Sequence, residues 1–330
     1  MKRRTLFAML PALSGCTPVV LPMGPPRGEP LLDGERLVMA DGAMLPLRAW
    51  LPDGSPRLVI LGLHGFNEYA RSFLADPAPL FTARGVALYG IDQRGFGAAP
   101  NRGYWAGHST LAADAVATCA LLRARHPGVP LVLMGESMGG AVAMLAATGE
   151  VPLAADALVL LAPAIWGRNT MSGVLRFALS LAAVTLPAAI LSGGVAGVVP
   201  TDNQASLIRW SRDPLILRQT RVDAALGLID LMDAAVAAAP RLGVDGRPAL
   251  ILYGGQDHLV PPGPTRAVLD TLDPAAPVTL GFYPSGYHQL LRDRGGGAVS
   301  EDVLAWLAAP GARMPSGARE AAVAWRARTA

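Results

Sequence analysis

The stretch L131-V-L-M-G-E-S-M-G-G-A-V-A-M-L145 carries four apolar residues into a serine boxed by glycines, then passes directly into small apolar residues. Glycine is costly inside strands and helices, so Gly135, Gly139 and Gly140 at one junction imply a tight turn or a close backbone approach. Residues 131–134 read as a strand and residues 141–147 as a helix. The pattern G-x-S-x-G is modest evidence alone, but a strand-turn-helix context is what a nucleophile elbow requires. The turn then exists to present Ser137 at the carboxyl edge of a sheet, where α/β folds place their ligands.

Outward from this stretch, strand-like runs and amphipathic stretches alternate. The runs beginning at Arg36, Met44, Arg57, Val86, Leu131, Ala157, Ala249 and Val278 read as strands. Most later ones are continuously apolar, as strands buried on both faces of a parallel sheet must be. Helix-length segments fall at about 69–84, 108–125, 138–148, 263–272 and 299–308. The class is therefore α/β. From about Trp166 to Arg247 no convincing strand is visible, and residues 177–199 carry no charge. That length would license a membrane span, but a single span would separate strands that must share one sheet. The expectation is a helical cap inserted at 166–247, between sheet-domain segments 35–165 and 248–310, with a tail at 311–330 that is either a surface helix or disordered.

A serine hydroxyl needs a base, and the base needs an acid to fix its tautomer. Elbow hydrolases run serine, acid, histidine along the chain. Of the five histidines, His64, His108, His126 and His258 lie at strand or helix ends or in a turn, whereas His288 follows the last strand in a loop able to fold over the sheet edge. Asp257 follows a continuous apolar strand in a Gly- and Pro-rich turn and is favoured as the acid over Asp245 and Asp270. Asp92 reads as a structural turn residue, and Cys119 as a small buried hydrophobe on a helix.

Five segments, LGLHGFNEYARSF (residues 61–73), GIDQRGFG (90–97), LMGESMGGAVAM (133–144), YGGQDHLVP (253–261) and YPSGYHQLLRD (283–293), resemble the monoacylglycerol lipase and lysophospholipase-like group of α/β hydrolases, the serine aminopeptidase S33 type. The resemblance covers about residues 35–310. It implies an α/β-hydrolase fold with Ser137 as nucleophile, Asp257 as orienting acid and His288 as general base. It also implies that the backbone amides of Phe66 and Met138 form the oxyanion hole. The sequence departs at Phe96, where a histidine is common, and in an unusually apolar cap. The leading expectation is hydrolysis of monoacylglycerol or lysophospholipid esters. The alternatives are a small-ester or thioester hydrolase, a proline iminopeptidase-like peptidase, and a catalytically silent lipid-binding envelope lipoprotein.

Composition bounds the partners. Of the 330 residues, 52% are hydrophobic and 16% charged, which excludes disorder. The net charge of +3 is almost wholly arginine, and no basic run interleaves with aromatics, so no nucleic-acid partner is implied. No protein partner, cofactor or metal is called for either. The start, Lys2, Arg3 and Arg4 followed by an apolar run to Leu13, has the order of a secretory signal. Leu13-Ser14-Gly15-Cys16 resembles a bacterial lipobox, which implies a signal peptide at 1–15, lipidation at Cys16 and a tether at 16–34. The implied place is the bacterial cell envelope, at the outer membrane, which Thr17 favours, or the periplasmic face of the inner membrane. A weak twin-arginine pattern leaves the export route open.

Overall fold

The computed structural model describes residues 17–192 and 198–327. Its strands are β1 (Leu31–Asp33), β2 (Arg36–Val38), β3 (Met44–Trp50), β4 (Leu58–Leu63), β5 (Val86–Ile91), β6 (Leu131–Glu136), β7 (Ala157–Leu161), β8 (Ile190–Ser192), β9 (Gln219–Arg221), β10 (Ala249–Gly254) and β11 (Val278–Tyr283). Nine of them form one sheet in the order β1-β2-β3-β5-β4-β6-β7-β10-β11. From β5 to β11 every pairing is parallel, while β1, β2 and β3 add an antiparallel flank.

The continuous apolar runs have a direct structural reason. Along β4, Val59, Leu61 and Leu63 enter one hydrophobic core while Leu58 and Ile60 enter the other. Strand β6 repeats this with Leu131 and Leu133 against Val132 and Met134. A strand with helices on both faces has no solvent side, so both sets of alternating positions must be apolar. Each such side chain contributes about 1.5–3 kcal/mol on burial.

Ten helices accompany the sheet among the described residues: α1 (Ala70–Leu74), α2 (Ala78–Ala83), α3 (His108–Arg125), α4 (Met138–Thr148), α5 (Gly173–Thr185), α6 (Gln204–Arg212), α7 (Val222–Ala238), α8 (Pro262–Leu269), α9 (Gly296–Ala308) and α10 (Ala318–Ala327). On one face Leu111, Ala115, Cys119 and Leu122 of α3 pack beside Ala141, Val142 and Met144 of α4. On the other, Phe73, Leu74 and Phe81 of α1 and α2 pack with Val299, Val303 and Trp306 of α9. The single helix expected at 69–84 is two, because Pro77 caps the second and leaves no continuous hydrogen-bond ladder.

The segment 166–247 differs from expectation in holding strands. β8 and β9 pair antiparallel through Ile190–Arg221 and Ser192–Gln219. Three residues each, without alternation, leave no periodic signal to read. The uncharged run from Phe177 does not continue as one helix: α5 ends at Thr185, before Pro187. Among the described residues no helix is long and apolar enough to cross a membrane.

The segment expected as a tether is instead laid along the domain. Leu21 N–H donates to Trp105 O at 2.8 Å, Met23 N–H to Thr110 Oγ1 at 3.0 Å and Val19 N–H to Asp223 Oδ2 at 3.1 Å. β1 also falls within it. Its prolines favour extended backbone, which suits a strap as well as a free linker. The tail, too, is built in: α10 packs on β11, and Trp325 stacks on Phe282 with ring centroids 4.8 Å apart.

Candidate active site

Because the parallel strands run in one direction, the loops after β4, β6, β7, β10 and β11 gather at one edge. Ser137 stands between β6 and α4 with φ 53 and ψ −117, a conformation that an L-residue adopts only under strain. Its surroundings hold it there: Ser137 N–H donates to Leu161 O at 2.9 Å, and Ser137 O accepts from Ala164 N–H at 2.9 Å. The flanking glycines are explained by space. A Cβ on Gly135 would overlap the Gly139 carbonyl, and one on Gly139 would overlap Leu63 O. A side chain at Gly139 would push the elbow away from β4, and one at Gly135 would push the start of α4 off β6. Ser137 is half-buried at the resulting turn.

Asp257 follows β10 and His288 follows β11, and neighbouring parallel strands bring them together. His288 Nδ1 lies 2.8 Å from Asp257 Oδ2. The other carboxylate oxygen, Oδ1, accepts Leu259 N–H at 2.8 Å and Val260 N–H at 3.0 Å. The acid is thus fixed before it fixes the ring. Nδ1 is taken, which leaves Nε2 as the ring's free nitrogen. No hydrogen bond joins Ser137 Oγ to the ring in this structure; such bonds commonly tighten only with substrate bound. Burial is the largest effect on His288 and lowers its pKa. The charge and hydrogen bond of Asp257, aided by Glu136 and Glu68, outweigh it and leave the pKa above the ordinary histidine value.

Phe66 N–H finds no protein acceptor among the described residues. Met138 is the first residue of α4, so its N–H has no partner within the helix. Gly65 abuts the elbow, since a Cβ there would stand 3.5 Å from Ser137 Cβ. His64 holds this loop: Nδ1 meets Gly65 O at 2.8 Å and Nε2 meets Gln93 N–H at 3.0 Å. A ring accepting a backbone N–H at Nε2 carries its proton on Nδ1 and is neutral, and burial lowers its pKa accordingly. Phe96 packs edge-on against both His64 and Phe66, at 5.7 and 5.4 Å.

The rival residues lie elsewhere. His126 meets Tyr89 OH at 2.9 Å, and His258 is exposed. Asp245 pairs with Arg247 and Asp270 with Arg326. Asp92 accepts Ala70 N–H and Ala98 N–H, each at 3.0 Å, as a turn residue. Cys119 is buried and has no disulfide partner among the described residues, and burial pushes its thiol up to about 12. Cys16 lies outside the described residues.

Sequence reasoning missed two things. Asn67, at φ 65, is bonded to the segment 166–247: Nδ2 donates to Thr220 Oγ1 at 2.7 Å, and Leu217 N–H donates to Asn67 O at 3.0 Å. Tyr69 OH donates to Asp213 Oδ2 at 2.5 Å. The inserted segment therefore sits on the loop carrying Phe66. The second is a buried cluster of Glu68, Glu136, Gln289 and Arg292. Its one sequence signal was a glutamate closing an otherwise apolar buried strand.

The family described as serine aminopeptidase, S33, matches residues 54–295. The chain is 27% identical to a monoacylglycerol lipase of Mycolicibacterium smegmatis over 282 residues, 81% of this chain and 93% of that protein. It is 27% identical to the human monoglyceride lipase over 275 residues, 82% of this chain and 88% of that one. Among solved structures, a soluble variant of the Saccharomyces cerevisiae monoglyceride lipase aligns with a TM-score of 0.66 at 20% identity. That alignment covers 88% of this chain and 97% of the yeast one, and supports the α/β-hydrolase fold.

Proposed function

Since the chain belongs to the serine aminopeptidase, S33, family, we propose that Ser137, Asp257 and His288 carry out the ester hydrolysis that this carboxylic ester hydrolase performs on monoacylglycerol-type lipids. One observation carries the assignment of roles. A strained serine elbow and a histidine held at 2.8 Å by a fixed carboxylate occupy the same edge of the sheet.

In this reading His288 Nε2 removes the proton as Ser137 Oγ attacks the ester carbonyl. The developing oxyanion accepts hydrogen bonds from Phe66 N–H and Met138 N–H. Preorganised donors of this kind are each worth about 3 kcal/mol. The imidazolium then protonates the departing alcohol, and water, activated by the same histidine, releases the acid from the acyl-enzyme. Asp257 keeps the proton on Nδ1 throughout and stabilises the charged ring. The segment 166–247 acts as a cap over this edge, seated on Asn67 and Tyr69.

Ester rather than peptide chemistry is supported by the cap's carboxylates. A peptidase reading free amino termini needs an acidic group left to meet the substrate amine. Asp213 accepts Tyr69 OH, Asp223 pairs with Arg221, Asp230 and Asp233 pair with Arg168, and Asp202 accepts Arg294 N–H. These five are engaged within the chain.

Lysophospholipids are a second single-chain acyl substrate. The basic, apolar start ending in Cys16 supports a lipid-anchored envelope protein. Labelling by a fluorophosphonate and turnover of a monoacylglycerol test the catalytic reading. Loss of both in Ser137→Ala is expected, and retention of either overturns it. Uptake of a palmitate analogue by the wild type but not by Cys16→Ser tests the anchor.

A further inference from the structure

Beneath the site, one guanidinium touches all three loops that the reaction needs. Arg292 Nη1 donates to Glu68 Oε1 at 2.7 Å and to Ser72 O at 3.1 Å, and Nη2 donates to Glu68 Oε2 at 3.0 Å and to Glu136 Oε1. Gln289 Nε2 adds a bond to Glu68 Oε1 at 3.0 Å. Glu68 stands two residues after Phe66, Glu136 immediately before Ser137, and Arg292 four residues after His288. All three charged side chains are buried.

We propose that Arg292, with Glu68 and Glu136, is a charge lock that keeps the oxyanion loop, the nucleophile elbow and the histidine loop in register, and that Arg292 is a positioning residue for hydrolysis. The proposal rests on the reading of Ser137 as nucleophile and His288 as base.

Energetics favour a positional role over simple stabilisation. Buried ions carry a desolvation cost that apolar side chains of similar volume avoid, so such clusters are poor sources of stability. This one is also incompletely satisfied, since Glu136 Oε2 and Arg292 Nε are buried without partners among the described residues. What the cluster offers that leucines cannot is direction. A planar fork with bidentate geometry toward Glu68 fixes both distance and angle between loops far apart in sequence.

The cluster also has an electrical consequence. When ionised, Glu136 places beside the His288–Asp257 pair a charge that the one guanidinium, shared with Glu68, does not fully offset. The groups facing Glu136 are Glu68 from the oxyanion loop and Arg292 and His288 from the histidine loop. Burial, only partly countered by Arg292, pushes Glu136 up to about 7. Its ionised form favours protonated His288, so removing that charge must move the histidine to lower pKa.

Two variants test this on p-nitrophenyl butyrate, with folding checked by circular dichroism. Glu136→Gln keeps an acceptor for Arg292 but removes the charge, and the acid limb of kcat/KM is expected to move down by about half a pH unit. Arg292→Met is expected to lower kcat roughly 10- to 100-fold with KM within about twofold, because misplaced catalytic groups slow chemistry more than binding. Arg292→Lys is expected to recover part of the loss. A purely structural cluster would change the melting temperature and leave the pH profile alone. A folded Arg292→Met with wild-type kcat overturns the lock, and a Glu136→Gln profile superimposable on wild type overturns its electrical consequence. If Arg292→Met does not fold, Arg292→Lys decides: wild-type kcat in that variant, which cannot form the bidentate fork, overturns the lock. Fluorophosphonate labelling separates the levels. Wild type unlabelled at Ser137 overturns the catalytic reading beneath the proposal, whereas labelled wild type with unaffected variants overturns only the lock.

Discussion

At the scale of single residues, the site rests on who holds His288. Burial, the largest effect, lowers its pKa, but Asp257, aided by Glu136 and Glu68, outweighs it and leaves the pKa above the ordinary value. As the proposed base, His288 works only when unprotonated, so activity should be low at acid pH and rise through a midpoint above about 6.5. A kcat/KM profile with its acid midpoint well below that value would contradict the assignment. Asp257→Asn should cost roughly 10⁴-fold in kcat with the fold intact, since the amide selects the wrong tautomer. These residues were legible in the sequence because each sits where a strand ends, and strand order fixes what meets at the edge. Glu68 and Arg292 were not legible. Their contact spans 224 positions with no motif of its own, and a lone glutamate or arginine in a loop ordinarily reads as solvated.

Among the elements, the buried strands were easiest to read because burial on both faces writes an unbroken apolar run. Elements held by a few specific contacts left weaker marks. The strap at residues 19–23 is joined through backbone amides, which any sequence supplies. α10 is anchored largely by Trp325, which stacks on Phe282, meets Tyr253 at 5.2 Å and lies under the Arg266 guanidinium at 4.6 Å. Removing a buried tryptophan of this kind costs about 3–5 kcal/mol. Trp325→Ala should therefore lower stability by that amount in urea unfolding while changing kcat of the folded enzyme little, because Trp325 packs on Phe282, Tyr253 and Arg266 and not on Ser137, Asp257 or His288. An unchanged unfolding midpoint would show that the helix is only laid against β11.

Across the whole molecule, the cap segment breaks the rule that apolar side chains go inside. α5 buries none of its residues, and Phe177 is 69% and Leu181 49% exposed, with Leu191 of β8 at 51%. Apolar surface of this extent normally marks a contact with something apolar. The strap passes close to this segment. Val19 is bound to Asp223, whose N–H donates to Pro187 O, so the chain from Cys16 joins the molecule beside the end of α5. If Cys16 carries the proposed acyl anchor, the three residues to Val19 span no more than about 11 Å. Each methylene that such a surface takes out of water contributes about 0.8 kcal/mol, roughly fourfold in binding. We therefore predict that kcat/KM rises from C2 to at least C8 esters, measured below the critical micelle concentration. Leu181→Arg and Leu191→Arg should flatten that rise while leaving the C2 rate and the melting temperature nearly unchanged, because neither side chain is buried. Had this face packed on the sheet domain, the same substitutions would have cost stability and spared the chain-length profile. A preference for acetate over octanoate in the wild type would assign the enzyme to small esters and leave the exposed cap as a surface for some other apolar partner.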